Sequence, residues 1–218
     1  DEVIIPEPFY ANYNGFAISA GVKVVPVTAH IENGFALPPI EDFEKLITSK
    51  TKAIVICNPN NPTGYLYSEA EMNVLKDIVL KHNLFLFSDE AYREFCYEGN
   101  HFSAMHLQAV KDNVVLMDTI SKRYSACGAR IGAFVTHNKM VLDAAMKFAQ
   151  ARLSPPTYGQ IAGEAAVGLP ANYFDKTKAQ YKERRDLLVK RLNEMDGVFC
   201  PQPGGAQMEI SKGELALP

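Results

Sequence analysis

The chain has 218 residues, 47% apolar and 22% charged, an ordinary globular composition with room for one large α/β domain or one domain and part of a second. Its 22 basic and 25 acidic residues leave a net charge of −3, which gives no electrostatic basis for binding nucleic acid or an anionic membrane. No apolar run approaches the roughly 20 residues of a membrane helix. The four cysteines are scattered without CxxC spacing and the five histidines lack ligand spacing, so reduced thiols in a cytoplasmic protein are expected, and no metal.

Taken in order, residues 2–6 read as a strand and residues 10–20 as a short helix closed by Gly21. Residues 22–27 form the next strand. A loop over 32–37 leads to a helix that starts at Pro39 and carries Phe43, Leu46 and Ile47 on one face. Residues 53–57, Ala-Ile-Val-Ile-Cys, are a continuous apolar run, the pattern of a parallel strand buried on both faces. The dense turn signal of residues 58–64 ends it. Ser68 and Glu71 make a capping box, and the helix behind it shows Met72, Leu75, Ile78 and Val79 at helical spacing up to His82 and Asn83.

Residues 84–87 and 114–117 are two further buried strands, with a short helix expected near 103–110 and another buried strand at 131–135. Asn138 caps a helix reaching Ala149. Pro155 and Pro156 break the chain, a small-residue helix covers 157–167, and a long charged helix covers 172–195 and ends at Gly197. Strand-like pieces follow at 198–200 and 207–210. The alternation predicts a mostly parallel sheet with helices on both faces over 1–168, then the start of a smaller α+β domain over 169–218. The chain opens directly into a strand and stops soon after another, so a piece of a longer protein is expected, with part of the first domain upstream and the rest of the second downstream.

Three polar clusters each follow an apolar strand: 58–64, 88–92 and 119–130. Ligands of open parallel sheets sit at such strand ends, and adjacency rules bring these ends to one edge. Any one cluster alone reads as a turn, a helix cap or a basic surface loop. Together they carry what pyridoxal phosphate needs: an amine, a carboxylate for the pyridine nitrogen, donors for the phenolic oxygen and a phosphate site. Lys122 is the one lysine in these clusters and offers the amine. Asp89 suits the ring nitrogen, Tyr92 and Asn61 the ring oxygen. Arg130, with the hydroxyls of Thr119 and Ser121, suits the phosphate.

The segments NPNNPTG (58–64), SDEAY (88–92) and TISKRYSACGARIG (119–132) resemble, in order and spacing, the class I/II aminotransferases of pyridoxal-phosphate fold type I. The resemblance covers the whole chain. It implies a homodimeric enzyme that moves an amino group between an L-amino acid, aspartate-like or of broad range, and a 2-oxo acid. Lys122 then resembles the lysine that forms the aldimine with pyridoxal 5′-phosphate and transfers the substrate proton. Asp89 resembles the pyridine-nitrogen partner, Tyr92 and Asn61 the ligands of the phenolic oxygen, and Arg130 with Thr119 and Ser121 the phosphate site, where Ser is common in place of Thr119. The segment Pro6-Glu7-Pro8-Phe9-Tyr10 resembles the one whose aromatic stacks on the ring, which nominates Tyr10.

The resemblance implies a glycine-containing phosphate loop upstream of Asp1 and an arginine for the substrate α-carboxylate beyond Pro218, both expected in the longer protein. The chain alone is therefore expected to bind the cofactor weakly or not at all. Pro203-Gly204-Gly205-Ala206 resembles the approach to that arginine's domain, although Gln207 stands where an aromatic is common. A C–S β-lyase of the same fold would keep every motif. So would the effector domain of a transcription regulator, which an upstream DNA-binding segment would reveal.

Overall fold

A computed structural model describes residues 1–206 and the backbone of residues 212–213. Six strands make the main sheet: β1 (Glu2–Glu7), β2 (Lys23–Thr28), β3 (Thr51–Cys57), β4 (Phe85–Asp89), β5 (Val114–Thr119) and β6 (Gly132–Val135). Their spatial order is β2-β1-β3-β4-β5-β6. The first five run parallel, while β6 pairs antiparallel with β5.

Alternation along each strand decides which helix meets which face. Ile4, Ile54, Ile56, Leu86 and Val114 point to one side, where they pack with Phe43 of α2 (Ile40–Leu46) and with Met72, Leu75, Ile78 and Val79 of α3 (Glu69–His82). This is the main core, and the apolar spacing of α3 is what fits it there. Val3, Ile5, Val55, Phe87 and Met117 point to the opposite side and line a groove with Tyr13, Phe16 and Ala17 of α1 (Asn12–Ser19).

The capping box forms as the sequence predicts: Ser68 Oγ accepts from the Glu71 amide and Glu71 accepts from the Ser68 amide at 2.8 Å. Asn83 closes α3 in the left-handed conformation, which Asn tolerates better than most residues. Residues 103–110 form two 3-10 turns rather than one helix, the first capped by Ser103.

One expectation fails. The run 131–135 looks as apolar as its neighbours, yet all four residues of β6 are exposed. It is the sheet's edge strand, and none of the described elements packed nearby buries its side chains. The elements that follow are α4 (Ile120–Arg123), α5 (Lys139–Arg152), α6 (Thr157–Val167) and α7 (Asp175–Asn193). Two short strands, β7 (Val198–Phe199) and β8 (Lys212–Gly213), pair antiparallel. The strand expected over 207–210 lies outside the described residues.

Residues 203–206 then return to the main body. Gly205 donates to the Gly64 carbonyl, Ala206 to that of Phe95, and Tyr97 to that of Gly204. Arg185 of α7 ties this return down, donating to the Pro203 carbonyl at 2.7 Å and to Glu98 at 2.8 Å.

Candidate active site

Because β3, β4 and β5 are adjacent and parallel, their last residues come to one edge. Cys57 pairs with Asp89, and Asp89 with Met117. Each polar cluster begins where its strand ends, so the three meet there.

A hollow of about 120 Å³ at this edge is lined by Tyr10, Cys57, Asn61, Asp89, Ala91, Tyr92 and Lys122. The structure thus brings five of the eight nominated residues around one space. Lys122 Nζ stands 5.6 Å from the centre of the Tyr92 ring, and its charge opposes the rise that burial imposes on the Tyr92 hydroxyl. Asn61 Nδ2 reaches the same hydroxyl at 3.5 Å, a long contact. Tyr10 sits at the rim, edge-on to Tyr13.

Asp89 is the carboxylate of this hollow. Its Oδ1 accepts from the Ala91 amide at 3.1 Å and its Oδ2 from the Tyr13 hydroxyl at 2.8 Å. Burial pushes its pKa above the usual carboxylate value, and the Asp118 charge adds to that, against the pull of those two donors. Burial also raises the Tyr13 hydroxyl, followed by the nearby Cys57 and Asp89, so Tyr13 stays protonated as the donor. A cation placed against Asp89 would restore the carboxylate.

Lys122 lies in α4, a single turn that Thr119 caps by accepting from the Ser121 amide at 3.1 Å. Its neighbour Arg123 is held elsewhere, 2.6 Å from Asp118 and 3.4 Å from Glu94. The two adjacent cations thus differ: Arg123 is tied into ion pairs, while Lys122 has no carboxylate partner among the described residues.

A second hollow, about 200 Å³ and mostly polar, is lined by Thr119, Ser121, Arg130, Ile131, Gly132 and Arg152. It contains the remaining three nominated residues. Thr119 Oγ1 lies 2.8 Å from Ser121 Oγ and donates to the Ile131 carbonyl at 2.9 Å. Arg130, in the left-handed conformation, donates to the Cys127 carbonyl at 3.0 Å.

Behind the first hollow lies a buried pair that sequence reasoning missed. Glu90 is fully buried. Its Oε1 accepts from Ser88, Ser103 and the Ala104 amide, and its Oε2 lies 3.5 Å from His101 Nε2. Burial raises the Glu90 carboxyl and lowers the His101 imidazole to about 4. Both shifts favour neutral forms. A proton on Oε2 directed at Nε2 gives each of these two otherwise unpartnered atoms a partner. Sequence reasoning also missed Tyr13, which reads as a core position of a short helix, and Arg152, which stands 22 residues beyond Arg130 in chain order.

The chain belongs to the class I and II aminotransferases: the model of that family matches residues 1–212. It is 35% identical over 212 residues to the aspartate aminotransferase of Bacillus subtilis and 33% identical over 210 residues to aromatic-amino-acid aminotransferase 2 of Thermococcus litoralis. Each comparison covers 94% of this chain and 53% of the relative. Alanine aminotransferase of Pyrococcus furiosus superposes with a TM-score of 0.92 at 37% identity, covering all of this chain and 56% of that one. The chain thus spans about half the length of the relatives it matches.

Pyridoxal 5′-phosphate is the cofactor of this family, and the residues present fit it. One hollow offers a lysine without an acidic partner beside a half-buried carboxylate and a tyrosine. The next offers two hydroxyls and two arginines with no carboxylate in its lining, the donor set an anionic phosphate requires.

Proposed function

We propose that the intact protein is an aminotransferase that moves an amino group between an L-amino acid and a 2-oxo acid. The observation that carries this reading is the convergence of Lys122, Asp89, Tyr92 and Asn61 on one hollow beside a polar, arginine-lined one. The relatives bear the names of alanine, aspartate and aromatic aminotransferases. That supports transfer over elimination and a broad rather than a single amino-acid range.

Bound in these hollows, pyridoxal phosphate supplies an aldehyde for the incoming amine and a ring that draws electrons from the substrate α-carbon. Asp89 holds the ring nitrogen's proton, and Tyr13 and the Ala91 amide hold Asp89 in place. Tyr92 and Asn61 orient the ring through its phenolic oxygen, and Tyr10 covers its face. Lys122 would hold the aldehyde of the bound cofactor and, once free, would serve as the base that moves the substrate α-proton. Thr119, Ser121 and Arg130 fix the phosphate and so fix the ring against Lys122.

Residues 1–168 act in this reading as the cofactor-binding part, and residues 169–218 begin the part that closes over substrate. Two copies of the protein associate. A cytoplasmic setting suits the four free cysteines. Among the described residues no helix is long and apolar enough to cross a membrane.

Lys122→Ala in the intact protein tests the reading. A general acid–base group contributes ~10²–10⁴-fold, so turnover should fall at least that far while phosphate-dependent cofactor binding persists. Turnover within a few-fold of wild type would remove Lys122 from the role.

A further inference from the structure

The second hollow contains an arginine that no motif nominated. The chain has seven arginines, and their partners sort them. Arg93 and Arg123 meet Asp118 and Glu94, Arg185 meets Glu98 and Asp186, and Arg191 meets Glu194. Arg184 lies over the Tyr181 ring. The other two, Arg130 and Arg152, have no acidic partner among the described residues, and both line the same hollow. Two guanidinium groups facing one space repel each other unless an anion lies between them. The rest of the lining, two hydroxyls and two apolar or glycine positions, brings no negative charge.

The backbone around Arg152 is also unusual. Arg152 is the last residue of α5, and Leu153 follows it with φ 71° and ψ 173°, a conformation that side chains rarely adopt. Leu153 is 77% exposed, so burial of its own side chain does not demand the turn. What the turn does is end α5 with Arg152 at the hollow before Pro155 and Pro156 redirect the chain. Arg130 stands on a left-handed residue as well. Both cations are thus held at the hollow by sharp turns rather than by ion pairs.

We propose that Arg152 is a second phosphate-binding arginine, completing with Arg130, Thr119 and Ser121 a site for a dianionic phosphate monoester. The inference rests on the cofactor reading above and adds a residue to it. Two guanidinium groups match the two charges of a phosphate monoester near neutral pH. Without Arg152 a single guanidinium of this hollow would face both charges.

The test compares pyridoxal 5′-phosphate with pyridoxal, which lacks the phosphate, by absorbance titration of the intact protein. The proteins are wild type, Arg152→Gln, Arg152→Lys and, as reference, Arg130→Gln. Loss of one charge-assisted contact predicts at least about tenfold weaker binding of the phosphorylated form by Arg152→Gln. Pyridoxal binding should stay unchanged, and Arg152→Lys should fall between. Phosphorylated-cofactor affinity within twofold of wild type would overturn the proposal and leave the cofactor reading standing. Equal weakening of both forms would show a structural role and also overturn it. So would a raised KM for the amino acid with cofactor affinity unchanged, which would assign Arg152 to the substrate carboxylate. A wild-type protein that binds neither form would overturn the cofactor reading and the proposal together.

Discussion

Asp89 and Glu90 are neighbours in the chain with different tasks. Asp89 ends β4 and faces the hollow, where burial raises its proton affinity against two hydrogen-bond donors and a cation would lower it further. Glu90 is shut in behind it with His101. His101 has its pKa lowered to about 4, first by burial and then by the Arg93 charge, against a hydrogen bond to the Asn58 backbone. The unfolded chain takes up this proton near the ordinary value of 6.5, the folded one only near 4. Between those values the unfolded state binds more protons, so His101 adds stability above pH 6.5 that is lost as pH falls toward 4. Glu90, raised by burial, acts with the opposite sign in its own window, its contribution lost as pH rises. Urea unfolding should therefore be compared in a Glu90→Gln background, with and without His101→Gln, at several values between pH 7 and pH 4. The histidine-containing protein should lose up to about 3 kcal/mol more over that range. Equal pH slopes would contradict the assignment. Such a pair is hard to see in the sequence, because His101 lies eleven residues beyond Glu90 and an intervening loop brings it back.

At the scale of elements, strands buried on both faces were the most legible. Residues 53–57 and 114–117 are unbroken apolar runs, and a parallel strand under two layers needs just that. The site residues were legible for a related reason: each directly follows such a run, so a sheet edge collects them. What local pattern did not carry was solvent exposure and long-range return. Residues 132–135 of that apolar run form the exposed edge strand β6, because composition does not say whether a packed layer covers a face. The return of residues 203–206 depends on Gly205, whose role is set by contacts more than a hundred residues away. A β-carbon there would lie 2.7 Å from Pro59 Cγ and 2.8 Å from the Phe95 carbonyl oxygen. Pro59 cannot yield without shifting the loop that holds Asn61. Gly205→Ala should cost ~1–3 kcal/mol, the range for overpacking a filled site, and weaken cofactor binding by displacing Asn61. Unfolding in urea and cofactor titration measure the two effects. An unchanged midpoint would show that the return is loosely packed.

For the whole molecule, the main unused feature is an apolar surface. Met140 and Phe148 of α5, and Tyr158, Ile161 and Val167 of α6, are between 58% and 89% exposed, and Leu153 between the helices is 77% exposed. Single exposed apolar residues need no explanation, but a run of them on two successive helices marks a surface that another body covers. The net charge of −3 over 218 residues raises little barrier to two copies meeting. Arg152 ends the first of these helices, at the second hollow. If a second copy covers this face, assembly and the phosphate site are neighbours, and a change in one should reach the other. Phe148→Glu places a charge on the face without touching either hollow. Sedimentation of the intact protein should show dimers giving way to monomers, with at least about a tenfold weaker association, since burying an unpaired carboxylate costs more than 1.4 kcal/mol. Cofactor affinity should fall with the loss of dimer and recover as protein concentration rises. A variant that stays dimeric with unchanged affinity would mean that another part of the protein covers this face.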